Sequence, residues 1–250
     1  MHSGSRNLGK QVAEFYQKLA VYLCSGKGDY FIKREEIIKK YKEQGRRKEI
    51  QKVLKELKRE YDDLEPNYPK ELCFLINEFI NKFRDKYLHD MNICQEYAKL
   101  NRETMAEILL QRIFNKSLDD FEYFHTVHNY IDFKENIIRK GAISAYEGEK
   151  VFISINMRDG SILAIGKGNP DWNYNAPHGA GRIMSRAQAK DNISLEEYQE
   201  SMEGIYTTSV KESTLDEAPM AYKPIEEIIN NIEDTVDILD IIKPIYNFKA

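Results

Sequence analysis

Cysteine, tryptophan and long hydrophobic runs are scarce in this chain of 250 residues. Its three cysteines, Cys24, Cys73 and Cys94, are an odd number without a CxxC pair, which argues against both a disulfide framework and a structural zinc site. No apolar run approaches the roughly 18 residues of a membrane-spanning helix, and no charged-then-apolar leader precedes the first motif. We therefore expect a cytoplasmic protein that does not enter a membrane.

Positive charge is concentrated in the first three-quarters of the chain. The formal net charge is −4, yet residues 191–250 hold only 4 Lys or Arg against 14 Asp or Glu, and residues 1–190 hold 33 against 27. Much of the basic surplus lies in residues 33–62, which have 12 basic and 7 acidic side chains. This distribution gives modest support for a polyanionic partner, although such a charge run is more often a solvated helix face.

Helical periodicity dominates the first half of the chain. Residues 7–24 predict one amphipathic helix, and residues 33–62 predict a charged helical hairpin that Gly45 divides. A segment with two prolines ends this hairpin, and a further helical region extends to about Phe114.

Beyond residue 120 the period changes from helical to alternating. Residues 142–146 and 151–155 predict a β-hairpin, and residues 161–165 and 236–246 predict further strands. Residues 166–181 show no periodicity and predict a long loop, which inside a compact domain is usually functional. Helices first and strands later predict an α+β fold.

The hexapeptide PHGAGR at residues 177–182 carries the strongest chemical signal. Gly179 and Gly181 leave backbone N–H groups uncovered and allow positive φ, and a helix starting near Arg182 would add the positive end of its dipole. Next to such a phosphate-binding segment, the imidazole of His178 could attack phosphorus as a nucleophile. For an isolated motif of this kind, a turn histidine that caps its own helix is the simpler interpretation.

Two further motifs accompany the hexapeptide: FHTVHN, which contains His128 and Asn129, and MHSGSRNLG at the start of the chain. Together the three motifs resemble the RtcB family of RNA-splicing ligases. GKGNP at residues 166–170, the Asn-Arg pair at 101–102, RKGA at 139–142 and the penultimate Lys249 fall in the order of the family. The resemblance runs from His2 to Lys249 and covers about the C-terminal half of what the family normally has.

The resemblance implies a fold and a role for each of two parts of the chain. The fold would be an RtcB-like mixed sheet core with an N-terminal helical region and an inserted helical hairpin. Residues 1–120 would be the mainly helical region and residues 121–250 the strand-rich portion that binds nucleotide and performs catalysis. We expect these two parts to form one truncated domain.

The reaction that the resemblance implies proceeds through a guanylylated histidine. His178 would attack the α-phosphorus of GTP, with Gly179, Ala180 and Gly181 presenting amides to that phosphate. The reaction would join RNA ends bearing a 2′,3′-cyclic phosphate or a 3′-phosphate to a 5′-hydroxyl end. The GMP would pass to the 3′-phosphate, and the 5′-hydroxyl would then displace it. RNA repair or tRNA splicing would be the outcome. Activation is needed because a bare phosphate dianion lacks a good leaving group.

The resemblance also assigns binding residues. The remaining GTP contacts would be Asn129, Ser154, Asn156, Met157, Ser161, Tyr222 and Lys249. His2 and His128 would be ligands of two manganese ions, and the RNA-facing arginines would be Arg6, Arg182 and Arg186. The family more often has PGSMG where this chain has the segment around Asn156, so the phosphate loop departs from the usual pattern. For Arg186, an ordinary surface arginine paired with an acidic neighbour is an equal alternative.

RtcB proteins carry, upstream of the matched segment, an aspartate and a cysteine that bridge the metals and a further histidine ligand. Two imidazoles are too few for a pair of divalent ions. We therefore expect this polypeptide alone to bind GTP weakly and not to complete a turnover. Two alternatives remain open: one half of a split ligase completed by a separately encoded N-terminal half, and a noncatalytic RNA-binding module that uses the helical hairpin at residues 33–62.

Overall fold

The computed structural model of the protein describes residues 2–247. They divide into two compact units, Met1–Phe121 and Glu122–Ala250. The α-helices of the described residues are α1 (Arg6–Cys24), α2 (Tyr30–Glu43), α3 (Ile50–Asp62), α4 (Asn77–Lys82), α5 (Arg84–Phe114), α6 (Arg186–Asn192), α7 (Leu195–Ser201) and α8 (Ile225–Asn231). The β-strands are β1 (Tyr130–Asp132), β2 (Ile137–Arg139), β3 (Ala142–Ser144), β4 (Lys150–Asn156), β5 (Gly160–Gly166), β6 (Asn175–Pro177), β7 (Tyr206–Thr207), β8 (Val236–Ile242) and β9 (Tyr246–Asn247). The prediction of an α+β fold is confirmed.

The first unit is helical and has one apolar core. Helix α1 buries Tyr16, Ala20 and Leu23, whose spacing of three and four residues places them on one face. This face packs with Phe79 of α4 and with the buried Cys73 of a 3₁₀ helix. The long helical region predicted to end at about Phe114 is interrupted at residue 83, where φ is −129°, and its last helix, α5, ends where predicted.

The charged hairpin is present as α2 and α3, and Gly45 lies between them with φ +73°. Helix α2 buries no residue, so its face is solvated, as a charge run of this kind predicts. Some of its cations are already paired: Lys33 lies 3.0 Å from Asp29, and Arg34 2.6 Å from Glu35. Contact between this hairpin and RNA stays a prediction.

The N-terminal motif is anchored to α5. Asn101 donates a hydrogen bond to Ser3 Oγ at 3.0 Å, and Arg102 donates one to the Ser3 carbonyl at 3.1 Å. These bonds fix the backbone between His2 and Arg6, which begins α1 with φ +54°. A terminal segment held in this way frays less than one that is free.

The second unit is built on an antiparallel sheet of order β4-β5-β8. Alternate residues of β4 and β5, including Ile153, Ile162 and Ala164, are fully buried and pack against Ile228 and Ile232 of the α8 region. The pairs β1-β2 and β3-β6 are antiparallel, and β7-β9 is parallel.

Four predictions about the second unit are wrong. Residues 142–146 do not pair with 151–155, because β3 pairs with β6 and β4 pairs with β5. Residues 166–181 are not a plain loop, since they contain β6 and a 3₁₀ helix at Pro170–Trp172. The last predicted strand ends early, at Ile242, and Tyr246 belongs to the separate β9. No helix starts near Arg182; the next helix begins at Arg186, after the capping residue Ser185.

The cysteines are free and buried in their helical surroundings. Within residues 2–247, no helix combines the length and the apolar character that crossing a membrane requires.

Candidate active site

Two of the predicted functional histidines meet in the second unit. His128 precedes β1, His178 follows β6, and their imidazole rings stack with centroids 4.6 Å apart and planes inclined by 26°. The two residues are 50 positions apart in the chain, so the fold and not local sequence brings them together. The structure therefore brings the two imidazoles into contact.

A backbone carbonyl fixes which nitrogen of His178 carries the proton. His178 Nδ1 lies 2.6 Å from the carbonyl oxygen of Gly141. Because a carbonyl oxygen only accepts hydrogen bonds, Nδ1 must be the donor, and in the neutral ring Nε2 then holds the free lone pair. Asn129 Oδ1 accepts a hydrogen bond from the Gly141 N–H at 2.8 Å. Asn129 therefore holds the residue whose carbonyl orients His178.

The backbone after His178 lies against β4. Ser154 N–H donates to the His178 carbonyl at 3.3 Å, and Ala180 N–H donates to the Ser154 carbonyl at 3.0 Å. The Ala180 amide therefore already has an acceptor in β4, and its contact with the phosphate of GTP stays a prediction. Within residues 2–247, the N–H groups of Gly179 and Gly181 donate to no acceptor. These two amides remain for a bound anion.

Gly179 is required for this close approach. A Cβ at this position would lie 2.8 Å from the Ser154 carbonyl oxygen. We expect Gly179→Ala to lower the free energy of unfolding by roughly 1–3 kcal/mol, because the backbone must separate from β4. Denaturant titration measures the change. Gly4→Ala is the control, since nothing lies within 4 Å of its added Cβ, and equal stability loss in both variants would contradict the close packing.

A buried ion pair between Arg139 and Asp132 holds together two segments that lead to the His178 site. Arg139, which is 2% exposed, donates from Nη2 to Asp132 at 2.9 Å and to the hydroxyl of Tyr146 at 3.1 Å. The Tyr146 hydroxyl donates to Asp132 at 2.7 Å. Arg139 Nη1 donates to the carbonyl of Asn173 at 3.0 Å. The pair therefore ties the segment before Gly141 to the segment that leads into β6.

Two of the three predicted RNA-facing arginines, Arg182 and Arg186, are paired with acidic residues. Arg186 contacts Asp216, and its Nη1 lies 2.8 Å from Glu217. Arg182 donates to Tyr222 Oη at 3.0 Å, lies 3.5 Å from Glu217, and stacks its guanidinium 4.7 Å above the Tyr222 ring. Arg182 Nη1 is buried and has no partner among the described residues. Burial and the carboxylate of Glu217 raise the pKa of Tyr222 to about 12, so this phenol is a neutral hydrogen-bond donor.

Local contacts already occupy some of the other predicted nucleotide residues. The Asn156 side chain accepts from the N–H groups of Arg158 and Asp159 and closes the turn between β4 and β5. Met157 contacts the hydroxyl of Tyr198 through its sulfur, and Ser161 pairs with Ser154 in the sheet. Their contacts with GTP stay predictions. Lys249 lies outside the described residues.

The predicted metal ligands lie in different units, His2 in the first and His128 in the second. Within residues 2–247, no group of three or more His, Cys, Asp or Glu could hold a metal ion. These residues alone therefore do not fit a dinuclear manganese centre. The ligand roles of His2 and His128, and the RNA contact of the exposed Arg6, stay predictions.

Two groups in this region, the Gly141 carbonyl and Trp172, were not among the predicted site residues. The Gly141 carbonyl is a backbone atom, so no residue pattern could indicate its contact with His178. Trp172, the one tryptophan of the chain, is 54% exposed in the 3₁₀ helix before β6. Its position between GKGNP and the hexapeptide could have indicated that Trp172 lies near the site.

The α+β fold and the stacked imidazoles beside two unpaired glycine amides define a protein with a candidate site for phosphoryl transfer. A family model described as tRNA-splicing ligase RtcB matches residues 1–250. The chain belongs to this family of RNA ligases.

Curated relatives of the chain have names that agree with the family. RNA-splicing ligase RtcB1 of Escherichia coli is 28% identical over 253 residues, which cover 96% of this chain and 52% of that protein. RNA-splicing ligase RtcB of Escherichia coli strain K12 is 27% identical with the same coverage. tRNA-splicing ligase RtcB of Aeropyrum pernix is 25% identical, over 91% of this chain and 46% of that protein. The chain thus spans about half the length of the curated relatives that it matches.

Proposed function

We propose that this chain carries the guanylylated histidine of a GTP- and manganese-dependent RNA ligase. The substrates would be RNA ends with a 3′-phosphate or a 2′,3′-cyclic phosphate, together with 5′-hydroxyl ends. The names of the relatives, which are splicing ligases, support RNA as the substrate class. The observation that carries the proposal is the orientation of His178, whose Nδ1 donates to the Gly141 carbonyl and leaves Nε2 free beside His128.

In the first step, the Nε2 lone pair of His178 attacks the α-phosphorus of GTP. A P–N bond forms, the bond from the α-phosphorus to the bridging oxygen breaks, and pyrophosphate leaves. The N–H groups of Gly179 and Gly181 are placed to stabilise negative charge on the transferring phosphoryl group. The Gly141 carbonyl stabilises the imidazolium-like charge that develops on the ring, because it accepts from Nδ1.

In the next steps, an oxygen of the RNA 3′-phosphate displaces His178 from the GMP phosphorus, which breaks the P–N bond and forms a pyrophosphate-like linkage. The RNA 5′-hydroxyl then attacks the 3′-phosphorus, GMP leaves, and a phosphodiester joins the ends. Arg182 is a candidate for contact with an RNA phosphate, but its buried Nη1 would first have to become accessible. A phosphate there would compete with Glu217.

Manganese would have to be bound partly by groups other than the described residues. His128 is the one predicted ligand in the unit that contains His178, and a single imidazole does not hold a divalent ion tightly. We therefore propose that the 250 residues alone bind GTP weakly, and that guanylylation needs the further ligands of a longer protein or of a separate polypeptide.

Transfer of label from GTP tests this proposal. A chimera in which the 250 residues replace the matched half of the Escherichia coli K12 relative is incubated with manganese and with GTP labelled in its α-phosphate. We expect an acid-labile protein adduct in the chimera and little or none in the 250-residue chain alone. The chain alone is the matched control, because it carries the same His178.

The outcomes separate the two parts of the proposal. A chimera that unfolds cooperatively but gains no label would contradict the assignment of His178 as nucleophile. Equal labelling of the chain alone would instead show that the argument from ligand number is wrong, while the nucleophile assignment would stand.

A further inference from the structure

A cavity of about 510 Å³ lies in the second unit beside the segment that follows His178. Gly179 and Ala180 form part of its wall, and so does Pro177, on the other side of His178. Ligand sites in proteins are clefts of roughly 300–1,000 Å³. The cavity is therefore large enough for a nucleotide and lies next to the candidate nucleophile.

The charges of the cavity do not suit a triphosphate. Its lining includes one cation, Lys223, and one carboxylate, Asp171. Lys223 is already paired with Glu227. Three phosphates of GTP would find no surplus of positive charge here, and Asp171 would repel them. The cavity is thus electrically balanced and suits a neutral group.

The polar lining consists otherwise of neutral hydrogen-bonding groups. Asn173, Asn175 and Asn231 line the cavity. The Oδ1 of Asn175 already accepts a hydrogen bond from Arg139. Asn173 makes no side-chain hydrogen bond, and Asn231 uses only its Nδ2, which donates to the carbonyl of Glu227 at 2.6 Å. Amide groups both donate and accept, which matches the edge of a nucleobase.

The apolar lining provides a flat partner for such a base. The indole of Trp172 borders the cavity and is 54% exposed, although an indole would gain from burial. Ile228 and Ile232 of the α8 region line another part of the cavity. Single-stranded nucleic-acid sites stack bases on exposed aromatic side chains of this kind.

The cavity overlaps the predicted GTP contacts only in part. Among those contacts, Gly179 and Ala180 line it, whereas Tyr222, Met157 and Ser161 do not. Gly179 and Ala180 therefore contribute both to the predicted GTP site and to the cavity. The first would bind GTP and the second the RNA end. Lys223 N–H donates to the Gly181 carbonyl at 3.2 Å, so the cation of the cavity lies beside the glycine segment, where an RNA phosphate would have to be.

We propose that this cavity binds the terminal nucleobase of a single-stranded RNA end, stacked on Trp172. The 3′-phosphate of that nucleotide lies outside the electrically balanced cavity, beside the glycine segment, where the N–H groups of Gly179 and Gly181 have no acceptor among residues 2–247. This inference rests on the proposed function for the identity of its ligand. Trp172 lines the cavity, whereas the predicted GTP contacts Tyr222, Met157 and Ser161 do not.

The single tryptophan gives a direct measurement of binding. The 250-residue chain is titrated with a short single-stranded oligoribonucleotide that ends in a 3′-phosphate, and the emission of Trp172 is followed. We expect saturable quenching by RNA and no comparable quenching by GTP. Quenching by GTP that RNA does not reverse would assign the cavity to the guanine nucleotide and overturn the proposal. Emission unchanged by RNA would overturn it as well.

Variants test the stacking in a second assay, the anisotropy of a dye-labelled form of the same RNA. Stacking on an aromatic residue contributes roughly 1–3 kcal/mol per base, so Trp172→Ala should weaken binding about 5- to 150-fold. Trp172→Phe should keep most of the affinity. Tyr206→Ala is the control, because Tyr206 is 77% exposed and lies outside the cavity. Equal affinity of Trp172→Ala and the control would contradict the proposal.

This test is independent of the guanylylation assay. A chimera that forms the His178 adduct while Trp172→Ala binds RNA normally would overturn the cavity assignment alone. RNA binding that depends on Trp172, together with a folded chimera that forms no adduct, would leave the cavity assignment intact and contradict the proposed reaction.

Discussion

Replacing His178 by asparagine in the chimera should abolish the GMP adduct, with a loss of labelling of roughly 1000-fold or more. Asparagine is close in size to part of the imidazole and can still donate to the Gly141 carbonyl, but it offers no nucleophilic nitrogen. The loss should therefore reflect chemistry and not unfolding. Labelling with α-phosphate-labelled GTP measures it, and the unfolding transition should stay within about 1 kcal/mol of the parent.

Two other histidines provide the comparison for this variant. His89→Asn should label normally, because His89 is an exposed residue of α5 in the first unit. His128→Asn removes the ring that stacks on His178 and should lower labelling while leaving the nucleophile in place. Labelling of His178→Asn at the level of His89→Asn would show that another residue carries the GMP.

Replacing Arg139 by methionine should give the largest loss of stability, roughly 3–5 kcal/mol. The substitution leaves the carboxylate of Asp132 buried without its cation, and it also removes the bond to the Asn173 carbonyl. Denaturant unfolding measures the change. A double variant, Arg139→Met with Asp132→Leu, should regain part of the loss, because a pair of apolar side chains leaves no buried charge uncompensated. A double variant less stable than Arg139→Met would contradict this account.

The same pair predicts a pH dependence. Burial raises the pKa of Asp132, but the hydrogen bonds from Tyr146 and Arg139 outweigh burial, and the pKa ends below its ordinary value. A carboxyl group with a depressed pKa in the folded state stabilises the protein above its ordinary pKa of about 4, and this contribution is lost as the pH falls further. The acid side of the stability profile should therefore flatten in Asp132→Asn. Asp191→Asn, at an exposed residue, should leave the profile unchanged.

Periodicity was sufficient to predict the helices of the first unit, because apolar residues spaced three and four apart record directly which face is buried. Residues 7–24 and the hairpin at 33–62 were predicted almost to their ends. The interruption at Phe83 was not predicted. The apolar face continues through it, with Phe79 and Tyr87 in the same core, so the pattern contains no sign of the break.

Strand pairing was predicted less well, because an alternating pattern identifies a strand but not its partner. The EG turn between residues 146 and 149 suggested a local hairpin, yet β3 pairs with β6, more than 30 residues later. Strand β6 is three residues long and ends at Pro177, too short to show a period. The helix expected near Arg182 was wrong because glycine and arginine also suit the extended backbone that pairs Arg182 with Tyr222.

The pairing of His128 with His178 came from the resemblance to the family, since nothing in their spacing links them. What the resemblance could not supply is the environment of each ring. The Gly141 carbonyl that orients His178 is a backbone atom, and the acidic partners of Arg182 and Arg186 lie about 30 residues away. These contacts depend on the folded chain and leave no pattern in the sequence.

The position of the GMP on the imidazole tests the central claim most directly. The chimera, with ¹⁵N-labelled histidine and guanylylated by GTP, is measured by NMR for coupling between phosphorus and the ring nitrogens. Because the Gly141 carbonyl keeps the proton on Nδ1, the coupling should appear at Nε2 of His178. Phosphorus bonded to Nδ1, or to any other residue, would contradict the orientation on which the proposed reaction depends.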